Sequence, residues 1–131
     1  MSLAYPNFPL RRGDIYKIKV KYTEDPTEGK ERPVLVLRDE RFDKITSSHT
    51  TVASGTSNSK YANYPLALKV DPKKIEGLKL DKPTFFLANL LYTIDKQKYF
   101  AGQPFIGRLS ESLMKQFDVL LVLALQIDLY K

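Results

Sequence analysis

The chain has 131 residues, which suits one domain with one hydrophobic core. Hydrophobic residues make up 43% and charged residues 27%, an ordinary globular composition that excludes a disordered or fibrous chain. The 21 Lys and Arg residues outnumber the 15 Asp and Glu residues, and the net charge of +6 favours a polyanion or an acidic protein as partner. The absence of cysteine excludes disulfide and thiolate chemistry.

Neither end of the chain carries a membrane signal. Met1–Pro6 lacks the basic segment and the apolar segment of a signal peptide. The longest apolar run, Val119–Leu125, is far shorter than the about 20 residues of a transmembrane helix. We therefore expect a cytoplasmic protein with no membrane partner, in which residues 1–10 are an N-terminal extension and residues 11–131 form the domain.

Short strand patterns dominate the chain up to about residue 108. The uninterrupted apolar run Pro33–Leu37 predicts a central strand that is buried on both faces. Polar loops separate the strands, and one of them, Ser54–Asn58, is rich in hydroxyls. The predicted strands are Gly13–Tyr22, Pro33–Leu37, Thr50–Ala53, Leu66–Val70 and Thr84–Leu91, the last continuing through Tyr92–Asp95 into a turn.

The hydrophobic period changes to that of a helix after Ser110, which is a suitable N-cap. Glu111 lies in the first turn, where a negative charge suits the helix dipole. The helix is expected to reach about Leu125, and Gln126–Lys131 to fray or add a short strand. The residues of its apolar face are Leu113, Phe117, Leu120, Leu121, Ala124 and Leu125. Five or six strands with one terminal helix predict a mainly β fold: a small antiparallel barrel with a C-terminal helix.

Four stretches, in this order and at these intervals, resemble one family. They are Arg12–Tyr16 (Arg-Gly-Asp-Ile-Tyr), Glu31–Leu37 with Asp39–Asp43 after it, Gly55–Ser57, and Ile106–Ser110 (Ile-Gly-Arg-Leu-Ser). Over residues 11 to 127 the chain is similar to the MazF/PemK/Kid toxins of bacterial toxin–antitoxin pairs. The resemblance implies an SH3-like barrel, a homodimer, cleavage of single-stranded RNA without metal or other cofactor, and inhibition by an acidic antitoxin.

RNA can be cut by its own 2′-hydroxyl, provided that the protein stabilises charge on the phosphate and moves two protons. The sequence offers no cluster of metal ligands, since it has one histidine, His49, and no cysteine. Any nuclease activity is therefore expected to be independent of metal. His49 lies in a polar stretch and fits a solvated side chain better than a catalytic one.

The resemblance implies that Arg32 and Thr56 are catalytic. A guanidinium pairs with phosphate through two parallel hydrogen bonds, and a hydroxyl can donate to a phosphate oxygen. The alternatives are that Arg32 is a solvated residue or a partner of Glu31, and that Thr56 bonds its own backbone in a turn.

Further residues are candidates for binding RNA. Hydroxyl, amide and carboxylate groups can contact the RNA, tyrosine rings can stack on bases, and lysine can contact phosphates. Tyr64 is a further stacking candidate, and ordinary surface tyrosines are the alternative. The predicted RNA-binding residues are Ser57, Lys60, Tyr61, Asn89, Tyr92 and Asp95.

The segment Asn89–Asp95 departs from the family pattern. Many members carry Asp-Gln there, followed by Arg, Ser or Thr, and Asp, whereas this chain has an amide at Asn89 and a tyrosine at Tyr92. An amide cannot act as a general base, so Glu31 or Asp95 would have to replace it.

Three functions remain open at this point. The leading one is an endoribonuclease toxin controlled by an antitoxin. The second is a barrel that binds RNA or a protein partner without cutting. The third is a gyrase poison of the CcdB type, which is disfavoured because that type is expected to carry tryptophan at the end of its last helix and this chain has none.

Overall fold

The computed structural model describes residues 9–19, 31–42 and 48–126. These residues form six strands, two α-helices and three short 3₁₀ turns, the turns at Glu40–Phe42, Ser59–Tyr61 and Pro72–Lys74. In chain order the strands and α-helices are β1 (Asp14–Lys19), β2 (Glu31–Val36), β3 (His49–Thr56), β4 (Ala67–Val70), β5 (Thr84–Asp95), α1 (Lys96–Phe100), β6 (Phe105–Arg108) and α2 (Glu111–Leu125).

All six strands belong to one antiparallel sheet in the order β4-β5-β3-β2-β1-β6. The sheet curls into a half-barrel, and the backbone N–H of Lys79, in the β4–β5 connection, donates to the carbonyl of Ile106 in β6 at 2.9 Å. The predicted mainly β fold with a C-terminal helix is confirmed. β2 lies between β1 and β3, and its Val34, Leu35 and Val36 are fully buried, as the apolar run predicted.

The sheet carries a hydrophobic core on each face. Alternate residues of a strand point to opposite sides, so its apolar residues are divided between the two cores. The first core lies under α2 and contains Ile15, Leu35, Ala53, Phe86 and Phe117, among others. The second core lies on the other face and consists of Leu10, Tyr16, Ile18, Val34, Val36, Val52, Ile94 and Phe100. β2 therefore contributes to both cores, which fixes its position firmly.

α2 begins where the sequence predicted. The Ser110 hydroxyl accepts the backbone N–H of Leu113 at 3.2 Å, and the helix ends at Gln126 in the left-handed conformation. Met114 and Phe117 are buried, but Leu125 is 56% exposed. The prediction that Leu125 belongs to the apolar face is wrong, because it is rotated past Leu121 and out of the contact. No helix among the described residues is long and apolar enough to cross a membrane.

The structure departs from the predicted elements at three places. β3 continues to Thr56 instead of ending at Ala53, because Gly55 and Thr56 still pair with Phe86 and Phe85 of β5 after a register shift. A short helix, α1, and a short strand, β6, follow β5 where the sequence indicated only a turn. The predicted ends at residues 20–22 and 127–131 lie outside the described residues.

Two of the four family-like stretches bind each other. Asp14 is fully buried, and its carboxylate accepts Arg108 Nε at 2.6 Å and the backbone N–H of Arg11 at 2.9 Å. The backbone N–H of Leu109 donates to the carbonyl of Gly13 at 3.0 Å. We call this contact between the start of β1 and the end of β6 the β1–β6 clasp; it positions the first turn of α2.

Candidate functional site

The strand pairing brings Arg32 and Thr56 to the same end of two neighbouring strands. Val34 of β2 pairs with Ser54 of β3, and the next residue of β3, Gly55, packs against the Pro33 carbonyl. Arg32 and Thr56 follow at the same end of these strands. Both side chains belong to the face of the sheet that carries Val34 and the second core. Both residues are half-buried, so a ligand can reach them. Arg32 is near the start of β2 and Thr56 is the last residue of β3, and we call this end of the two strands the open end of the sheet.

Thr56 is held in place by its neighbours. It pairs with Phe85 of β5, and its Oγ1 accepts the backbone N–H of Asn58 at 3.2 Å. The turn contact considered from the sequence is therefore present. It uses a lone pair of the oxygen, and because a hydroxyl also has one O–H donor, Thr56 can still donate to a phosphate.

Gly55 allows the strands to approach closely at this point. A Cβ at Gly55 would lie 2.8 Å from Cε1 of Phe86 and 2.9 Å from the carbonyl oxygen of Pro33. No side chain fits in that space without displacing one of them. The backbones of Pro33 and Gly55, which adjoin Arg32 and Thr56, are therefore held close together by packing.

Ser57 and Glu31 line a neighbouring cleft of about 220 Å³. Its other lining residues are Lys17, Pro33, Leu80, Asp81, Lys82 and Thr84. Glu31 and Pro33 alternate with Arg32 along β2, so the cleft opens on the opposite face of the sheet from the guanidinium. Ser57, the residue after Thr56, therefore lies at the border between the Arg32–Thr56 site and this cleft, which is lined by both acidic and basic residues.

Three of the predicted RNA-binding residues come together with Tyr64 after the end of β3. The Lys60 ammonium lies 5.1 Å from the centre of the Tyr61 ring. The rings of Tyr61 and Tyr64 meet edge to face, with centres 5.5 Å apart, and Asn89 Nδ2 donates to the Tyr64 hydroxyl at 2.7 Å. We call Lys60, Tyr61, Tyr64 and Asn89 the tyrosine cluster.

Tyr92 and Asp95 lie farther along the sheet. Tyr92 pairs with Val52 and packs against the second core. Asp95 pairs with His49, and its carboxylate accepts the backbone N–H of Lys98 at 2.7 Å as the N-cap of α1. His49 and Thr56 are the two ends of β3, about 23 Å apart at roughly 3.3 Å per residue. Within one chain, neither Asp95 nor His49 reaches Arg32, whereas Glu31 lies at the same end.

The described part of the chain contains no group of three His, Cys, Asp or Glu residues placed to hold a metal ion. The guanidinium of Arg41 donates to both carboxylate oxygens of Asp39, at 3.0 and 2.8 Å, and these hydrogen bonds lower the Asp39 pKa. This pair follows β2, at the opposite end of the sheet from Arg32. It therefore belongs to the scaffold.

Two residues of the site were not predicted. Asn58 caps the 3₁₀ turn Ser59–Tyr61 by accepting the backbone N–H of Lys60 at 3.0 Å, and Phe85 packs beside Thr56. The Asn after consecutive hydroxyl residues is a sequence signal for such a turn. Nothing in the sequence indicated that Phe85 would be the cross-strand partner of Thr56, because that depends on register.

The fold and this site together define a class: a curled six-stranded antiparallel barrel with a terminal helix, and an arginine–threonine pair at the open end of the sheet. Residues 11–125 match the family model described as "PemK-like, MazF-like toxin of type II toxin-antitoxin system". The chain belongs to this family.

The chain is also similar to individual relatives, and its fold to that of solved structures. The chain is 29% identical to a protein named endoribonuclease MazF from Staphylococcus epidermidis over 119 residues, which are 91% of this chain and 93% of the relative. The fold is similar to that of a MazE–MazF crystal structure from Deinococcus radiodurans, with a TM-score of 0.69, 16% identity and coverage of 93% and 100% of the two chains. It is also similar to the Mycobacterium tuberculosis toxin MazF-mt6, with a TM-score of 0.66, 22% identity and coverage of 88% and 98%.

Proposed function

We propose that this protein is a toxin that cuts single-stranded RNA, including mRNA, at a short sequence motif and is inhibited by a cognate antitoxin. The observation that carries the proposal is the pairing of β2 with β3, from which Arg32 and Thr56 follow at the same end of the sheet. Membership of the PemK/MazF toxin family and the 29% identical endoribonuclease support it.

The proposed reaction uses the RNA's own 2′-hydroxyl as nucleophile. A bond forms between the 2′-oxygen and phosphorus, and the bond from phosphorus to the 5′-oxygen breaks. Arg32 stabilises the negative charge on the pentacoordinate phosphate through its planar fork of donors, and Thr56 donates to a phosphate oxygen. The 2′-proton goes to a general base and the 5′-oxygen acquires a proton on leaving. Of the two carboxylates considered for the base, Glu31 lies at this end of the sheet but on the face opposite the Arg32 guanidinium, and Asp95 lies at the other end, so within one chain neither faces the proposed phosphate position.

The predicted RNA-binding residues fall into two groups in this proposal. Ser57, Lys60, Tyr61 and Asn89 follow or adjoin the end of β3 and contact the same RNA segment as Thr56. Tyr92 and Asp95 lie along β5 and can meet RNA only farther from the cut. The net charge of +6 favours association of the protein with the phosphate backbone of RNA.

We also propose a homodimer and an acidic antitoxin as partners. A protein described as an endoribonuclease in complex with its cognate antitoxin, from mycobacteria, has the same fold with a TM-score of 0.61 at 17% identity, covering 91% of this chain and 95% of its own. By analogy, an acidic antitoxin segment would order on this positively charged protein and cover Arg32.

A non-cleaving, RNA-binding relative is the second candidate. The observation in its favour is Asn89, an amide engaged with Tyr64 where many family members carry a carboxylate. If the natural protein is a weakened nuclease, Asn89→Asp is expected to raise cleavage of every sequence.

The proposal is tested by incubating the purified protein with single-stranded RNA of mixed sequence in EDTA. We expect cleavage, with a 2′,3′-cyclic phosphate on one product and a 5′-hydroxyl on the other. Intact RNA, or cleavage only after addition of a divalent metal, would refute it.

A further inference from the structure

We propose that the tyrosine cluster is a nucleobase subsite, in which Asn89 selects adenine beside the scissile phosphate and Tyr61 stacks on it. This inference rests on the proposed function, because it assigns the base that accompanies the phosphate at Arg32 and Thr56.

The cluster is preorganised. Tyr64 stands edge-on to Tyr61, and the amide of Asn89 donates to its hydroxyl, so each group is oriented before any ligand arrives. Asn89 is exposed, and the two tyrosines are half-buried. An aromatic ring and an amide fixed side by side at the surface are the two groups that recognise an unstacked base, one through its face and one through its edge.

A short series of hydrogen bonds connects the cluster to the catalytic pair. Asn58 donates its backbone N–H to Thr56 Oγ1 at 3.2 Å, and its own carbonyl accepts the N–H of Tyr61 at 3.1 Å. The carbonyl of Tyr61 accepts the N–H of Tyr64 at 3.1 Å. The rings are thus positioned relative to Thr56 by backbone contacts. In the proposed subsite, an RNA phosphate bound at Thr56 has its neighbouring base at the tyrosine cluster.

β5 supplies the third side of the subsite. Gly55 pairs with Phe86, whereas Ala53 pairs with Leu91, so β5 has three more residues than β3 between these pairs. Asn89 lies in that extra segment, and both it and Leu90 are exposed. The register shift therefore turns Asn89 away from the regular ladder and toward the connection that carries Tyr61 and Tyr64.

Asn89 keeps a donor and an acceptor for a ligand. One Nδ2 hydrogen is used by Tyr64, which leaves the second Nδ2 hydrogen and Oδ1, and no other hydrogen bond of this side chain occurs among the described residues. An amide with this donor–acceptor edge pairs with N6 and N7 of adenine. The Lys60 ammonium above the Tyr61 ring adds a positive charge for the neighbouring phosphate.

The test measures binding separately from cleavage. Fluorescein-labelled hexamers of 2′-O-methyl adenylate and 2′-O-methyl cytidylate cannot undergo internal attack, and their affinities are measured by fluorescence anisotropy. We expect the wild type to bind the adenylate about tenfold more tightly. Asn89→Asp is expected to reverse the preference, because a carboxylate only accepts hydrogen bonds and therefore suits the cytosine amino group.

Three more variants separate the roles within the cluster. Tyr61→Leu should weaken both oligonucleotides about tenfold by removing the stacking face. Tyr64→Phe should reduce the adenine preference because Asn89 loses its anchor. Tyr99→Phe, a half-buried tyrosine on α1 at the other end of the sheet, is the matched control and should bind as the wild type does.

Equal affinity of the wild type for the two hexamers, or an unchanged preference in Asn89→Asp, would overturn the subsite. The proposed function is scored separately with unmodified RNA. An adenine preference without cleavage of unmodified RNA would support the subsite and contradict the proposed nuclease activity. Cleavage of RNA without an adenine preference set by Asn89 would support the nuclease activity and contradict the subsite.

Discussion

In the proposed reaction, Arg32 and Thr56 contribute different things to the phosphate at the open end of the sheet. The guanidinium supplies a permanent charge and two parallel donors, whereas the hydroxyl supplies one neutral donor whose oxygen is already engaged by the Asn58 backbone. A charged hydrogen bond is roughly twice as strong as a neutral one. We therefore expect the loss of Arg32 to lower the rate of RNA cleavage more than the loss of Thr56.

That ranking predicts the outcome of Thr56→Val, which keeps the branched shape and removes the donor. Cleavage should fall about tenfold, less than the about 10²–10³ expected for a principal charge-stabilising donor. Single-turnover rates on one RNA measure the effect. Thr93→Val, an exposed threonine of β5 whose Oγ1 lies 3.3 Å from Thr51 Oγ1, is the control and should cut normally. A normal rate in Thr56→Val would remove the hydroxyl from the mechanism.

Gly55 is the residue on which the Arg32–Thr56 geometry depends. Gly55→Ala places a methyl group 2.8 Å from the Phe86 ring and 2.9 Å from the Pro33 carbonyl. Overpacking of this kind costs about 1–3 kcal/mol of unfolding free energy. Urea denaturation should show that loss, and cleavage should fall with it because Thr56 is the next residue. Unchanged stability would mean that the strands are less closely packed than the structure shows.

The β1–β6 clasp holds the end of β6, and with it the start of α2, against β1. The carboxylate of Asp14 is completely buried, and Arg108 is its charged partner. Arg108→Ala leaves that carboxylate with the Arg11 backbone N–H, so we expect a loss of roughly 1–3 kcal/mol, below the value for a fully buried pair because the arginine is 40% exposed.

Urea denaturation of Arg108→Ala and of Lys115→Ala tests this assignment. Lys115 pairs with Glu111 at 3.7 Å on the exposed side of α2, and its removal should change stability by less than about 0.5 kcal/mol. Similar losses in the two variants would show that the clasp contributes no more than a surface ion pair.

The loop after β2 carries a pH-dependent contact. Hydrogen bonds from Arg41 lower the pKa of Asp39 in the folded state, so the ionised pair stabilises the fold above the ordinary aspartate pKa of the unfolded chain. That contribution disappears as the pH falls through the lower folded pKa. Arg41→Ala should therefore be less stable than the wild type near neutral pH and equally stable in acid, as measured by thermal unfolding across pH. A difference that grows in acid would contradict the assignment.

The elements that sequence patterns predicted are those with strong local signals. β2 is an uninterrupted apolar run, and α2 has a serine cap and a helical period. α1 has five residues, too few to show a period, and β6 has four residues with Gly107 within them. The tyrosine cluster depends on the β3–β5 register shift, which results from packing between distant segments and has no local signal. Arg32 and Thr56 are proposed as site residues from family resemblance, whereas their placement at the same end of neighbouring strands depends on the strand pairing.

We expect the protein to be a homodimer in solution. Each chain has a mass of 15.0 kDa, and Val119 and Leu123 on the outer side of α2 are 60% and 59% exposed. Light scattering at micromolar concentration should report twice the chain mass. A mass of one chain at that concentration would contradict the prediction.

Charge and site combine in one functional claim, that Arg32 performs metal-independent RNA cleavage. The direct test compares the wild type, Arg32→Ala, Arg32→Lys and Arg41→Ala on one single-stranded RNA in EDTA. Arg41→Ala is the matched control, an arginine in the 3₁₀ turn that follows β2 at the far end from the site. We predict cleavage by the wild type and by Arg41→Ala, and none detectable with Arg32→Ala or with Arg32→Lys, because an ammonium cannot reproduce the guanidinium fork. Equal cleavage by the wild type and Arg32→Ala would contradict the account.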